Sequence, residues 1–204
     1  MNVLVTAGPT REYIDSVRFI TNASSGTTGY AVAEQAAKAG HTVTLLTGPV
    51  ALAPPEGVYV IHFTSVAELQ AALDERFDGC DALVMSAAVG DFTVGNRAAA
   101  KLHRSDGPIT LELAPTADVL ASLGARRRAD QIIIAFAVEE PADADARAGE
   151  KLRRKNADYI VVNTPAALAA AASQAAILSP TGVVLPWAHR AKTDLAREIV
   201  RLLK

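Results

Sequence analysis

Four nearly continuous apolar runs constrain the fold of this chain more than any other feature. They lie at residues 4–6, 82–85, 132–135 and 160–162. A strand that is apolar at consecutive positions is buried on both faces, as in parallel sheets that helices cover on both sides. Because helical patterns separate these runs, we predict a doubly wound, Rossmann-like α/β fold with a mostly parallel sheet. The 204 residues, 50% of them hydrophobic, suffice for a single domain over residues 1–204.

The remaining elements are predicted from periodicity and turn residues. Strands are expected at residues 2–7, 41–47, 58–63, 82–88, 109–113, 131–138 and 159–163, and helices at residues 30–39, 65–77, 116–128 and 142–154. Residues 175–178 and 183–185 flank the turn sequence Ser179-Pro-Thr-Gly182, which predicts a C-terminal β-hairpin. A helix over residues 191–203 closes the chain, and the alanine-rich residues 166–172 are either helix or loop.

The first strand is followed by a long loop that ends in Asn22-Ala-Ser-Ser-Gly-Thr-Thr-Gly29. Loops between a strand and a helix usually span about 2–6 residues, so we expect this one to be functional. The first turn of a helix has unpaired N–H groups and a partial positive charge, and glycines let the backbone approach an anion closely. Ser24, Ser25, Gly26 and Gly29 therefore suit a phosphate site. The alternative is a serine N-cap with a glycine that permits helix–strand packing.

Two common nucleotide sites are disfavoured by what the sequence lacks. A dinucleotide site wants G-x-G-x-x-G near the first strand and an acid about 20 residues later. The second predicted strand, residues 41–47, runs into Gly48-Pro-Val50 without an acid, and no arginine lies between Arg18 and Arg76 to hold a 2′-phosphate. The chain also has no P-loop signature, so neither NAD(P) binding nor a P-loop site is expected.

Composition narrows the class of protein. A formal net charge of −2 gives no indication of a nucleic-acid or membrane partner. The single cysteine, Cys80, excludes an internal disulfide and a multi-cysteine metal site, and a buried structural thiol is expected there. The sequence starts directly with strand residues and has no apolar run of membrane-spanning length, so we expect a cytoplasmic protein.

Several polar residues follow predicted strands and are candidates for binding. Asp91 is the first ionised residue after the strand at 82–88, and Lys101 and Arg104 lie on the polar segment 96–108. Two cations on such a segment suit a lid over a polyphosphate, and the alternative is a solvated basic loop. Thr116 is a candidate N-cap for the helix at 116–128.

Phe136 and two lysines complete the candidates. Phe136 lies near the end of its strand, where it either stacks on a base or packs in the core. Lys151 and Lys155 are four residues apart and project from one helix face, where they either reach a nucleotide or complement the helix dipole. No histidine pair has metal-ligand spacing, and no nucleophile with an obvious base is present.

Together these segments resemble the phosphopantothenate–cysteine ligases, the synthetase half of the bacterial coenzyme A biosynthesis flavoprotein. The likeness covers nearly the whole chain. It rests on six blocks in the family's order, which are residues 6–15, residues 17–26, Ser86-Ala-Ala-Val-Gly-Asp-Phe92, Pro115-Thr-Ala-Asp-Val-Leu120, Phe136-Ala-Val-Glu139 and Lys151-Leu-Arg-Arg-Lys-Asn156. Lys101-Leu-His-Arg104 stands where the family has a K-x-K-K strap.

The resemblance implies CTP-dependent ligation of L-cysteine to 4′-phosphopantothenate through an acyl-cytidylate, with Mg²⁺ or Mn²⁺. By family position, Asn22 would polarise the acyl carbonyl, Lys101 would contact the triphosphate, and Ser24 and Gly26 would contact phosphate. The remaining family positions would hold CTP, and they are Met85, Ser86, Ala87, Asp91, Phe92, Pro115, Thr116, Ala117, Phe136, Lys151 and Lys155. The resemblance also implies a homodimer formed through the C-terminal hairpin, and a separate flavin decarboxylase is a further expected partner.

The chain departs from the family pattern at three places. Thr27 and Thr28 stand where a basic residue and a methionine are usual, His103 and Arg104 replace lysines of the strap, and an alanine run occupies residues 169–174. The altered strap and Thr27 leave open a second hypothesis, a catalytically silent nucleotide-binding partner of a separate decarboxylase. A Rossmann-type NAD(P) oxidoreductase is a third hypothesis, which the missing acid for the ribose disfavours.

Overall fold

The structure is a computed structural model that describes residues 1–139, 144–167, 170 and 172–203. Within these ranges, eight strands form one sheet. In chain order they are β1 (Asn2–Ala7), β4 (Thr42–Thr47), β5 (Val58–His62), β6 (Ala82–Met85), β9 (Ile132–Val138), β10 (Tyr159–Asn163), β11 (Ala172–Ser179) and β12 (Gly182–Ala191). Their order across the sheet is β12-β11-β10-β9-β6-β1-β4-β5. All pairs from β5 to β10 are parallel, and β11 and β12 are antiparallel. The predicted doubly wound, mostly parallel sheet is confirmed.

Helices cover both faces of this sheet, as the apolar strands require. They are α1 (Thr27–Lys38), α2 (Val66–Arg76), α3 (Val119–Ala125), α4 (Ala144–Arg154) and α5 (Lys192–Val200). One buried core lies between the sheet and α2, α3 and α4, and a second lies between the sheet and α1 and α5. Successive strand residues alternate between the two cores, with Leu4 in the first and Val5 in the second.

Two short antiparallel pairs lie outside the main sheet. β2 (Arg11–Tyr13) pairs with β3 (Phe19–Thr21) inside the long first loop, and β7 (Phe92–Val94) pairs with β8 (Leu113–Pro115). The strand predicted at residues 109–113 is displaced: only Leu113 belongs to a strand, as the first residue of β8, while Ile109 and Leu111 lie outside any strand and are exposed. Apolar residues alternate with polar ones over residues 109–113, so periodicity alone put the strand too early.

Other predicted boundaries shift by a few residues. α1 begins three residues before the predicted start at Tyr30, and α3 is shorter than the predicted helix at 116–128. The C-terminal hairpin is confirmed and is longer than predicted. Residues 142 and 143 of the predicted helix at 142–154, and residues 168, 169 and 171 of the alanine-rich segment, lie outside the described residues. Pro165–Ala167 form a 3₁₀ turn.

Cys80 is buried with 2% of its surface exposed, as predicted. Burial raises the pKa of its thiol to about 11. No helix among the described residues is long and apolar enough to cross a bilayer.

Candidate active site

A cavity of about 510 Å³ opens at the carboxyl ends of β6, β9 and β10. This is the edge at which doubly wound sheets bind ligands. The first turn of α1, the loop after β6, the start of α3 and the end of α4 line the cavity. All of the predicted site residues line it except Phe92, Lys101, Arg104 and Pro115. Those that do are Asn22, Ser24, Ser25, Gly26, Gly29, Met85, Ser86, Ala87, Asp91, Thr116, Ala117, Phe136, Lys151 and Lys155.

The N-terminus of α1 forms one wall of the cavity. Its N-cap is Gly26, which has a left-handed φ of 75° and makes no side-chain cap. The predicted alternative of a serine N-cap is therefore wrong, since Ser24 and Ser25 precede the cap and Ser25 Oγ lies 2.9 Å from Thr27 Oγ1. An uncapped helix start that faces a cavity leaves N–H groups and a partial positive charge for an anion.

Gly29 permits close helix–strand packing, as one of its two predicted alternatives has it, and it also lines the cavity. It lies inside α1, where a Cβ atom would come within 2.5 Å of Ser86 Oγ and 2.6 Å of Ala7 Cβ. The absence of a side chain thus lets α1 approach β1 and β6 closely. This packing fixes where the helix start lies relative to the loop after β6.

Hydrogen bonds lock the loops that follow β1 and β6. Thr6 accepts a bond from Ala87 N at 3.0 Å through its hydroxyl, and Ser86 Oγ donates to Thr6 O at 2.5 Å. Farther along, Gly90 N donates to Thr10 Oγ1 at 2.9 Å. The backbone beside Met85, Ser86 and Ala87 is therefore rigid, which suits recognition by fixed donors and acceptors.

Thr116 belongs to this network and does not cap α3. Its hydroxyl donates to Gly90 O at 2.6 Å, and its N–H donates to Asp91 O at 2.9 Å. The N-cap of α3 is Asp118, whose carboxylate accepts from Ala121 N at 3.1 Å. The prediction that Thr116 is the N-cap is wrong because its hydroxyl is already used to hold the loop after β6.

Asn22 lies beside the same loop. Its Nδ2 group donates to Ala88 O at 3.1 Å and to Val89 O at 3.2 Å. Both amide hydrogens are thus engaged, so donation to a substrate carbonyl requires that the side chain exchange one of these bonds. The residue is exposed and lines the cavity, which leaves room for that exchange.

Lysine side chains of the α4 region enter the cavity from the opposite face of the sheet to α1. Lys151 Nζ lies 2.6 Å from Glu139 Oε1, a carboxylate that is 6% exposed. Lys155, which directly follows α4, has its Nζ 3.2 Å from Asp118 Oδ1, and Arg154 approaches the same carboxylate at 3.5 Å. Burial favours a raised pKa for Asp118, but the bond from Ala121 N and these cations outweigh it and lower the pKa.

Phe136 packs against the core, as one of its two predicted alternatives has it, and stacking on a base stays a prediction. Its ring is half-buried against the core shared by α1 and α5, and it also lines the cavity. An aromatic ring at this position can stack on a base without leaving its packing against the core.

Phe92, Pro115 and Lys101 lie outside the cavity lining. Phe92 pairs with Pro115 between β7 and β8, and Phe92 is 52% exposed. Lys101 is exposed and directly precedes Leu102. Both the N–H and the carbonyl group of Leu102 make hydrogen bonds. Leu102 N donates to Asp15 Oδ2 at 3.1 Å, and Leu102 O accepts from Arg18 Nη2 at 2.5 Å.

These contacts attach the strap, residues 101–104, to the β2–β3 hairpin. Asp15 is fully buried, and burial alone would raise the pKa of its carboxyl. Bonds from Arg18, Val17 and Leu102 outweigh that effect and hold the pKa well below its usual range. If the strap closes over the cavity, either the bonds of Leu102 to Asp15 and Arg18 break or these two residues move with the strap.

Sequence reasoning missed several polar residues of the cavity, among them Asp118, Arg154, Asn163 and Lys192. Asn163 ends the apolar strand β10, and a polar residue at that end of a buried strand is a signal that was available. Lys192 opens α5, where a cation opposes the helix dipole. Arg154 lies one residue before the predicted Lys155 but carried no pattern of its own.

The described residues can also be compared with what a metal ion and a dinucleotide would need. Among the described residues, no three acidic, histidine or cysteine side chains are grouped as metal ligands. β4 ends at Thr47, which is buried and donates its hydroxyl to Gly48 O at 3.0 Å. The end of this strand thus presents no acid for the ribose of a dinucleotide.

Comparison with known proteins supports one family. A profile of the family described as the DNA/pantothenate metabolism flavoprotein C-terminal domain matches residues 1–204. A protein named cysteine/cysteine sulfinic acid decarboxylase, from an unknown prokaryotic organism, is 38% identical over 204 residues, which cover 98% of this chain and 56% of that relative. The coenzyme A biosynthesis bifunctional protein CoaBC of Bacillus subtilis (strain 168) is 44% identical over 163 residues, which cover 79% of this chain and 40% of the relative.

This chain also has the same fold as a solved structure of the family. The C-terminal domain of a coenzyme A biosynthesis bifunctional protein CoaBC has a TM-score of 0.81 and 34% identity, with 99% of this chain and 93% of that chain covered. This chain spans about half the length of the curated relatives it matches.

Proposed function

The chain belongs to the family of the DNA/pantothenate metabolism flavoprotein C-terminal domain, and we propose on this basis that it ligates L-cysteine to 4′-phosphopantothenate in coenzyme A biosynthesis. The proposal covers the synthetase reaction alone, because the chain spans only about half of its curated relatives. We further propose that CTP drives the reaction through an acyl-cytidylate intermediate.

The observation that carries this proposal is the set of residues that line the cavity. Residues that are far apart in the sequence, from Asn22 to Lys155, meet in one space of about 510 Å³. This volume lies within the range of small-molecule sites, roughly 300–1,000 Å³. The cavity offers an uncapped helix start, rigid backbone after β6 and cationic side chains near α4.

The first proposed step is attack of the 4′-phosphopantothenate carboxylate on the α-phosphorus of CTP, with release of pyrophosphate. Such a step needs positioning and charge neutralisation rather than a protein nucleophile. Lys151 and Lys155 supply positive charge, and the ion pairs with Glu139 and Asp118 orient them toward the cavity. Lys101 reaches the triphosphate only if the strap leaves its position beside Asp15, which makes strap movement part of the proposed cycle.

In the second proposed step the cysteine amine attacks the acyl carbon and CMP leaves. Charge develops on the carbonyl oxygen in this step, and a nearby hydrogen-bond donor stabilises it. Asn22 is the proposed donor, and its Nδ2 group donates to Ala88 O and Val89 O. We propose that the Asn22 side chain moves so that one of these exposed hydrogen bonds is replaced by a bond to the intermediate.

A Mg²⁺ ion is also proposed, and the chemistry of the cavity fits one that is bound mainly by phosphate. Magnesium in such sites takes one or two carboxylates and completes its shell with phosphate oxygens and water. Asp91 lines the cavity and has no ion-pair partner among the described residues, so it is the candidate carboxylate. A bound Mg²⁺ would neutralise charge on the nucleotide phosphates.

Two partners belong to the proposal. One is a second copy of this chain, since the C-terminal hairpin has exposed apolar residues, Val183 at 61% and Val184 at 43%. The other is a separate flavin decarboxylase, which the family resemblance implies; the relative of Bacillus subtilis is named a bifunctional protein, and another relative is named a decarboxylase. A chain that serves such a partner as a catalytically silent nucleotide binder is the alternative that the experiment below separates.

Incubation with CTP, 4′-phosphopantothenate, L-cysteine and Mg²⁺, with pyrophosphate release followed over time, tests the proposed function. We expect release that depends on the phosphorylated acid, and amide product that depends on cysteine. Omission of each substrate in turn is the control. Nucleotide binding without pyrophosphate release, while a known ligase is active under the same conditions, would favour the silent binder.

A further inference from the structure

Lys192 is a buried lysine that none of the proposed steps uses. It is the first residue of α5 and directly follows β12. Only 6% of its surface is exposed, yet it lines the cavity. Its aliphatic part is buried and its ammonium group reaches the cavity, where that group is placed to pair with a charged or hydrogen-bonding partner.

No such partner lies among the described residues. Lys192 has no ion pair or side-chain hydrogen bond there, whereas Lys151 and Lys155 face Glu139 at 2.6 Å and Asp118 at 3.2 Å. Burial lowers the pKa of Lys192, and no nearby charge opposes that effect. The positive charge of Lys192 is therefore uncompensated on the side of the cavity where it lies.

The position of Lys192 in its helix adds to this positive potential. The start of a helix carries a partial positive charge, so acidic residues and side-chain caps are favoured there and lysine is not. The N-cap of α5 is Ala191, which makes no side-chain cap. Asp194, the acid of the first turn, pairs with Arg197 at 2.6 Å, with both side chains 56% exposed.

The start of α1 lies on the same side of the cavity. α1 and α5 pack against each other on one face of the sheet, and α3 and α4 occupy the other face. Gly26 and Lys192 both line the cavity, and neither helix start has a side-chain cap. The starts of α1 and α5, with Lys192, thus form a second region of positive charge in the cavity, distinct from Lys151 and Lys155.

We propose that Lys192 binds a phosphoryl group of a substrate, together with the N-terminus of α1, at a subsite across the cavity from Lys151 and Lys155. Two substrates of the proposed function carry such a group: CTP has its triphosphate and 4′-phosphopantothenate has its 4′-phosphate. The identity of the ligand rests on the proposed function, but the presence of an anion subsite does not.

Isothermal titration calorimetry of the full chain tests this proposal with CTP, 4′-phosphopantothenate and unphosphorylated pantothenate as probes. Lys192→Met removes the charge and keeps an unbranched side chain. We expect roughly 10- to 100-fold weaker binding of one phosphorylated probe, as for loss of one charged hydrogen bond. Loss confined to CTP assigns the subsite to the triphosphate, and loss confined to 4′-phosphopantothenate assigns it to the 4′-phosphate.

Lys38→Met is the matched control, because Lys38 is an exposed lysine of α1 whose only described ion pair is with Glu34 at 2.6 Å. It should bind every probe like the parent chain. Lys192→Arg, which keeps the charge, should recover part of the lost affinity. Parent-like affinity of Lys192→Met for both phosphorylated probes would overturn the proposal.

Unfolding of the ligand-free variants separates binding from a structural role. An uncompensated buried charge does not stabilise the folded state, so Lys192→Met should unfold at the same urea concentration as the parent chain or at a higher one. Lower stability together with unchanged affinity would show a structural lysine instead. If Lys192→Met does not fold, Lys192→Gln, which keeps a polar group, carries the same expected loss of affinity.

The same titrations distinguish failure of this proposal from failure of the proposed function. A parent chain that releases no pyrophosphate but binds a phosphorylated probe through Lys192 has the subsite and lacks the ligase activity. An active parent chain whose affinity is indifferent to Lys192→Met has the activity and lacks the subsite.

Discussion

Replacement of Gly29 by alanine tests whether close helix–strand packing positions the start of α1. The added Cβ would lie 2.5 Å from Ser86 Oγ, 2.6 Å from Ala7 Cβ and 2.8 Å from Thr6 O. Two of these neighbours are backbone or a β-carbon and cannot rotate away. Since carbon atoms in contact are about 3.5–4.0 Å apart, α1 has to move by roughly 1 Å.

The cost of this movement can be estimated. Overpacking of a core contact typically costs about 1–3 kcal/mol, and three contacts this short place Gly29→Ala near the upper end. Alanine has the better helix propensity by about 1 kcal/mol, which offsets part of the cost. We therefore expect a net loss of about 2 kcal/mol in the free energy of unfolding, measured by urea denaturation.

Gly79→Ala is the control for Gly29→Ala, because a Cβ atom at Gly79 would meet nothing within 4 Å. Its free energy of unfolding should stay within about 0.5 kcal/mol of the parent value. Gly29→Ala should also weaken binding of phosphorylated ligands, since the N–H groups of α1 move with the helix. Equal stability of Gly29→Ala and the parent chain would refute the packing argument.

Three other properties should be measurable. Because the pKa of Cys80 is about 11 in the folded chain and about 9 in an unfolded one, unfolding becomes easier as the pH rises from 9 to 11. Cys80→Ala should remove that part of the pH dependence, on the order of 2 kcal/mol, and equal slopes would contradict it. CTP should be used in preference to ATP, because the rigid backbone at residues 85–87 offers fixed donors and acceptors to a base; equal turnover would count against this. Light scattering at micromolar concentration should give a dimer mass, and a monomer mass across that range would remove the shared hairpin interface.

The main sheet could be predicted because its central strands are recognisable from their own apolar sequences. β1, β6, β9 and β10 are apolar at nearly every position, and the structure buries them under helices on both faces. The C-terminal hairpin was likewise marked by its turn sequence. Both features are local, so they can be read without knowledge of the rest of the chain.

The short strands of the first loop could not be predicted in the same way. β2 and β3 contain three residues each, and β2 is held by contacts from distant parts of the chain. Glu12 accepts from Val66 N at 2.9 Å and from Thr93 Oγ1 at 2.8 Å. Such strands form because tertiary contacts hold them, and no local periodicity records those contacts.

The candidate site shows a similar division. Gly26 was found because glycines and serines mark a helix start, and Asp91 was found because it follows a strand, where ligands bind in this type of fold. The two alternatives for Gly29 stayed open because a glycine that permits close packing and a glycine that faces phosphate look the same in sequence. Lys192 was missed because β12 and α5, which place it in the cavity, are remote in sequence from every motif of the site.

The most direct test of the central claim separates the two halves of the proposed reaction by rapid-quench kinetics. Asn22→Asp removes the amide donor and adds negative charge, so amide formation should slow by an amount on the order of 3 kcal/mol in the barrier, and acyl-cytidylate should accumulate. Lys101→Gln should instead remove a triphosphate contact and reduce intermediate and product together. If both variants behave like the parent chain, the reaction uses neither Asn22 of the cavity nor Lys101 of the strap, and the proposed placement of the active site is wrong.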